Sequence, residues 1–279
     1  MTWTSPDPVR ASAFLDTTVP CDRILAGKKK RSRLRQKLAP YGLLRTSRFV
    51  QLEFSLGAYG HLAAFQARAE QGASVEDLMD LAISYTELLP PNRQRRVGIV
   101  MLKTIRFFVA HIEQTGLGDG PLRKQLRGFL RRRVRRAWRI AFQGLDAGKL
   151  IDPSGHLGDL TKPHWSETSK TMQSVVSKEY LDQKAPLLAG WIRSQQPLFA
   201  LVLATLEGLP SRDKETDRRI VALKKILAGA EDTHRDDIRN VGDAFIAAEC
   251  PKECVLLSSN AKHFEPLLRV LGKACDAYS

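Results

Sequence analysis

The sequence predicts an α/β fold: a small parallel sheet with its strands at the two ends of the chain, interrupted by a mostly α-helical insertion. Three observations carry this. Residues 11–16 are an apolar run that ends on Asp16, and a second apolar run near the other end, CVLLSS, ends on Ser258, Ser259 and Asn260. Neither run alternates polar with apolar, which suits strands covered on both faces. The 189 residues between Glu53 and Asp243 carry helical signals almost throughout.

Taken in order, the first run is a buried strand. Thr17 or Thr18 caps the segment that follows, and Pro20 suits its first turn. A basic run, GKKKRSRLRQK, comes next, and GLLRTS reads as a second strand. Ser47 caps a long helix over RFVQLEFSLGAYGHLAAFQARAE, whose apolar residues recur at helical spacing. A helix over VEDLMDLAISYTELL stops at Pro90-Pro91. The next, RQRRVGIVMLKTIRFFVAHIEQ, runs into the glycine-rich GLGDG. Pro121 opens a further, strongly basic helix over residues 121–146. A loop containing DPSGHLGDLTKPHW leads to helical segments reaching about Gly229. A short helix, GDAFIAAEC, then precedes the last strand. The expected organisation is a discontinuous sheet-bearing domain, residues 1–60 and 231–279, around a helical insertion, residues 61–230, with no strand recognisable in the insertion.

Composition narrows the function. A hydrophobic fraction of 43% in 279 residues fills a sizeable core, and 44 Lys and Arg against 30 Asp and Glu give a net charge of +14. That balance favours polyanionic partners. Cys21, Cys250, Cys254 and Cys275 lack a second Cys or His pair at zinc spacing and read as reduced thiols of a cytoplasmic protein. Apolar stretches are short or broken by Lys103 and Arg106, so no membrane span is expected. GLGDG lacks the Lys-Ser/Thr of a phosphate-binding P-loop, and no GxSxG nucleophile motif is present.

The residues that carry chemistry are acidic. Mg²⁺ and Mn²⁺ take carboxylate, amide and water oxygens, and a site for them needs three or four such donors from different elements. Asp16 and Asn260 follow strands, where ligand groups collect in open parallel sheets. Asp243 lies among Val241, Ala244, Phe245 and Ile246, and Glu53 between Leu52 and Phe54, surroundings in which an unpaired carboxylate is costly. The competing reading makes each a helix cap or a solvated side chain. Asp236 shares a helical face with Asn240 and Asp243, although a solvated helix start accounts for it as well. His263, beside Asn260, is a rim or an ordinary surface histidine.

FLDTTV, SRFVQLEFSLGAY, GDAFIAAEC and VLLSSNAKHF, in this order, resemble the successive signatures of PIN-domain ribonucleases, VapC-like toxins especially. The resemblance covers about residues 11–60 and 235–270. It implies a three-layer α/β/α domain with a small parallel sheet and metal-assisted hydrolysis of RNA phosphodiesters. Residue by residue, it implies Asp16 and Asp243 as holders of Mg²⁺ or Mn²⁺, Glu53 as metal ligand or orienter of a water, and Asn260 as a positioning oxygen donor. A toxin or defence role follows by the same analogy. This chain departs from the family in the neutral Asn260 and in the long stretch between Glu53 and Asp243. The former favours a rival reading, a PIN-like nucleic-acid-binding scaffold of weak or no activity.

The helix over residues 121–146 presents Arg127, Arg131, Arg132, Arg135, Arg136 and Arg139 around an apolar stripe of Leu126, Leu130, Val134 and Trp138. With Lys28, Lys29 and Lys30 from the first basic run, these are candidate phosphate contacts. The partners expected are RNA or single-stranded DNA; an acidic protein covering the basic helix and a second copy of the chain are the alternatives.

Overall fold

The computed structural model describes residues 12–88, 93–113, 119–158, 164–166, 168, 171–173 and 178–278. Its centre is a five-stranded, all-parallel sheet. β1 (Ser12–Leu15) pairs on one side with β2 (Leu43–Ser47) and on the other with β6 (Cys254–Ser258); β3 (Leu145–Ile151) lies outside β2 and β7 (Ala274–Ala277) outside β6. The chain builds outward from β1 through β2 to β3, then returns to the other side of β1 with β6. The direction of winding therefore reverses between β1 and β6.

Paired residues of β1 and β6 divide between the two faces. Leu15 pairs with Leu257 and, with Ala13, Val19, Leu34 and Tyr278, forms the core under α1 (Thr18–Leu25) and α2 (Lys28–Leu38). Phe14 pairs with Leu256, and both face the opposite core with α3 (Arg48–Phe54), α12 (Gly242–Glu249) and α13 (Ala261–Val270). Phe49 of α3 stacks on Phe245 of α12 with ring centroids 4.6 Å apart. The chain is thus mixed α/β with an all-parallel sheet, as expected from the sequence.

Three features differ from the sequence reading. The expected single helix after Ser47 is two, α3 and α4 (Gly60–Glu70), separated by a wide π-type turn over Ser55–Tyr59 in which Gly57 is non-helical (φ −95°, ψ −108°). Ser47 does cap α3, accepting a hydrogen bond from Val50 N–H at 3.2 Å. The middle also contains strands: β3 completes the sheet, and a small antiparallel hairpin pairs β4 (His164–Ser166) with β5 (Thr171–Gln173). The sequence of β3, LDAGKLI, has a single β-branched residue and includes a glycine, and its register against β2 shifts between Leu44 and Thr46. Its pairing is imposed by tertiary context rather than by propensity.

Finally, the middle divides between two cores. The helices α4, α5 (Val75–Thr86), α6 (Arg93–Glu113) and α7 (Asp119–Ala141) bury Phe65, Leu78, Val97, Met101, Leu130 and Trp138 among themselves. In contrast, α8 (Lys178–Ser194), α9 (Gln196–Glu207) and α10 (Lys214–Leu227) bury Leu188, Ile192, Phe199, Val202 and Leu223 in the core that covers the sheet. The short α11 (Arg235–Asn240) leads from α10 into α12. Among the described residues, no helix is long and apolar enough to cross a membrane, and all four cysteines are free.

Candidate acidic site at the sheet switch point

In a parallel sheet the crevice beyond the strand ends opens where the winding reverses, which here lies between β1 and β6. Asp16 lies at that point. Its N–H still belongs to the ladder, donating to the Leu257 carbonyl at 3.3 Å. Its carboxylate accepts the Thr18 N–H at 3.0 Å and the Thr18 hydroxyl at 2.6 Å on Oδ1, and the Ser258 hydroxyl at 2.8 Å on Oδ2. Ser258 Oγ in turn accepts the Asn260 N–H at 2.8 Å, and Thr18 Oγ1 accepts the Ser259 N–H at 2.9 Å. The hydroxyls of Thr18 and Ser258 thus stitch the two strand ends together and fix one rotamer of Asp16. At 2% exposure, burial pushes the Asp16 carboxyl up to about 7, with Asp243 adding to the rise and the two hydroxyls and Arg93 opposing it.

Glu53, in the last turn of α3, accepts a hydrogen bond from the Thr17 hydroxyl. Its Oε1 lies against Gly242, where a Cβ would come within 2.7 Å of it. The glycine that opens α12 therefore makes room for the carboxylate beside Asp243. Burial raises the Glu53 carboxyl, against the pull of Arg93 and Thr17.

Asp243 differs in charge state. Burial would raise it, but His263, Arg219 and Arg93 outweigh that and hold it below the ordinary carboxylate range. Arg219 of α10 donates to its Oδ2 at 2.5 Å, and His263 Nδ1 lies 3.6 Å from the same oxygen. His263 is itself largely enclosed between Asp243, Asp213 (3.4 Å) and Glu215 (3.6 Å), so it belongs to the support of the site.

The cation common to all three acids is Arg93, at the start of α6. Its guanidinium lies 3.8 Å from Glu53 and is in the electrostatic field of Asp16 and Asp243 as well. The side chain passes over Gly57 in the wide turn, where a Cβ would press on Arg93 Cδ at 3.3 Å. Sequence reasoning missed Arg93 and Arg219. Neither belongs to a motif, and only the fold brings α6 and α10 to the strand ends.

Asp16, Glu53 and Asp243 are therefore gathered in one electrostatic neighbourhood, with Asn260 at the start of α13 bonded through its backbone. Among the described residues, no three His, Cys, Asp or Glu side chains are close enough to hold one ion. Each acid has its own partner, and Arg93 is the shared cation. Asp236 lies elsewhere, exposed and 3.4 Å from Arg239.

The expected phosphate contacts separate into two groups. Arg131 is tied in a bidentate pair to Glu70, with both hydrogen bonds at 2.6 Å, and Lys30 is paired at 2.9 Å with the fully buried Asp22. These two hold the fold together. Arg127 is half-buried, and Lys28 and Lys29 are exposed. Arg132, Arg133, Arg135, Arg136 and Arg139 line a cleft of about 530 Å³ with Phe129. No family model, curated protein or solved structure matches the chain.

Proposed function

We propose that the chain is a metal-dependent endoribonuclease of PIN-like type. The observation that carries this reading is the convergence of Asp16, Glu53 and Asp243 where the sheet winding reverses, with Asp16 and Glu53 held above ordinary carboxylate values. Burial outweighs Arg93 and the neighbouring hydroxyls and disfavours the ionised carboxyls, and a bound divalent cation would offset that cost. The donors are of the right type for Mg²⁺ or Mn²⁺: three carboxylates and the amide oxygen of Asn260, without thiolate. In the conformation described no three carboxylates lie close enough to share an ion, so binding would require them to draw together.

Bound there, the cation would polarise a water and neutralise charge on the phosphate. Asp16 and Asp243 would hold it, their rotamers set by Thr18 and Ser258 and by Arg219 and His263. Glu53, its proton affinity raised by burial, would orient the attacking water and accept its proton. The cations Arg132, Arg136 and Arg139 would hold the substrate backbone by charge-assisted contacts that carry no sequence preference. A toxin or defence role rests on family analogy alone.

Arg93 also favours a second reading, a PIN-like nucleic-acid-binding scaffold in which a built-in cation replaces the metal. Incubation of mixed RNA and single-stranded DNA with Mn²⁺, Mg²⁺ or EDTA, beside Asp243→Asn, separates the two. Cleavage that needs metal and Asp243 supports the nuclease. Metal-indifferent, salt-sensitive binding without cleavage supports the scaffold.

A further inference from the structure

The outer flank of α6 carries a feature that the acidic site does not use. Phe107 is 71% exposed, and its ring lies parallel to that of His111, at 7° and 6.0 Å between centroids. Among the described residues Phe107 is the most exposed large apolar side chain, so its ring face is open to a flat partner. Lys103 and Arg106, in the preceding turn, are exposed too. Arg93, Val100, Phe107 and His111 recur at helical spacing, so one flank of α6 leads from the acidic site to the aromatic pair. At 1.5 Å per residue, the separation along the axis is about 20 Å.

The arginine cleft belongs to α7, which meets α6 through an aromatic pair. Phe129, which lines the cleft, packs on Phe108, the residue after Phe107, with ring centroids 5.2 Å apart. Like charges crowd there: burial and Arg31 of α2 together lower the proton affinity of Arg133. An open aromatic face next to concentrated arginines matches a ligand that combines π-faces with regularly spaced negative charge. A duplex hides its base faces within the stack, whereas an unpaired strand offers them.

From this we infer that Phe107 and His111 form a stacking platform for an unpaired base of single-stranded nucleic acid whose phosphates lie in the Arg132–Arg139 cleft. The inference deepens the nuclease reading by naming the strand that it takes, but it concerns binding and can be read with the acidic site silent.

The test is fluorescence anisotropy of the full chain in EDTA, with a labelled single-stranded RNA containing 2-aminopurine and with its duplex. Phe107→Ala should weaken the single strand about tenfold and abolish the stacking change in 2-aminopurine fluorescence, while duplex affinity and salt slope stay as in wild type. Phe107→Trp should restore binding. Arg132→Gln with Arg136→Gln should instead flatten the salt slope by about 1.4. Because Phe107 is so exposed, its replacement leaves the fold intact, which circular dichroism verifies. Unchanged single-strand affinity in Phe107→Ala overturns the inference, as does an equal loss for both strands. So does a dimer that this variant splits without touching RNA affinity, which would assign the face to a second copy. Phe107-dependent binding with no cleavage in Mn²⁺ would sink the nuclease reading and keep the platform; metal-dependent cleavage indifferent to Phe107 would do the reverse.

Discussion

Replacing Asp16 by Asn should make the metal-free protein more stable at alkaline pH. The Asp16 carboxyl is 2% exposed and is lifted from an ordinary 3.8 to about 7. A raised folded value means that the folded state binds the proton more tightly than the unfolded chain does. The stabilisation from Asp16 is therefore complete below pH 3.8 and is lost as pH rises through 7. A gap of roughly three pH units, at about 1.4 kcal/mol each, makes ionised Asp16 about 4 kcal/mol costly at pH 8. Asn removes that cost and keeps a carbonyl for Thr18. Its NH₂ must face Ser258 Oγ, which already accepts the Asn260 N–H, and that adjustment should cost about 1 kcal/mol. The expected net gain is about 3 kcal/mol at pH 8, falling below about 1 kcal/mol at pH 5. Urea denaturation of both proteins in EDTA between pH 5 and 8.5 measures it. Parallel stability curves for wild type and variant would refute the reasoning, since they would mean that Asp16 is not held against its ionisation.

Three further outcomes are expected. Arg93→Met removes the shared cation, so Mn²⁺ affinity by calorimetry should rise about tenfold; equal or weaker binding would show that Arg93 does not compete with metal. Gly242→Ala places a Cβ 2.7 Å from Glu53 Oε1, so the carboxylate must turn away; cleavage should drop at least about tenfold with a stability loss of about 1–3 kcal/mol, read by single-turnover kinetics and urea melts. Glu249 is 3% exposed, and burial outweighs the neighbouring Ser47 hydroxyl and raises its carboxyl well above the ordinary value. Its stabilisation is full below the unfolded value and lost as pH rises through the folded one, so Glu249→Gln should gain on wild type from pH 5 to 8; a difference independent of pH would contradict this.

How far the sequence reaches can be judged from particular residues. β1, β2 and β6 were readable because SAFL, LLRTS and CVLLS are apolar and β-prone, and Ser47 announced α3 by its capping chemistry. β3 was not readable, because DAGK has no strand preference and pairs only where β2 already offers an edge. The wide turn at Ser55–Tyr59 was hidden for the opposite reason: its residues continue a helical pattern, and only the packing of Arg93 across Gly57 shows why the helix breaks there. Asp16, Glu53 and Asp243 could be chosen as carboxylates among apolar neighbours. His263 could be placed at the rim by its closeness to Asn260, but Arg93 and Arg219 could not be found, since they come from α6 and α10 and sequence spacing says nothing about which helix ends meet. The same limit explains Arg131 and Lys30: a basic run reads as uniform surface charge until Glu70 and Asp22 are seen to claim two of its members.

The proposed nuclease activity would place RNA hydrolysis with a divalent cation at the three acids of the switch point. The most direct measurement is cleavage of an end-labelled single-stranded RNA by wild type and Asp16→Asn, in Mn²⁺ and in EDTA, with the variant first shown to be folded by its stability at pH 8. A metal-dependent nuclease should cleave as wild type in Mn²⁺ but not in EDTA, and the variant should cleave in neither condition. Equal cleavage by the two proteins, or cleavage that survives EDTA, would contradict it.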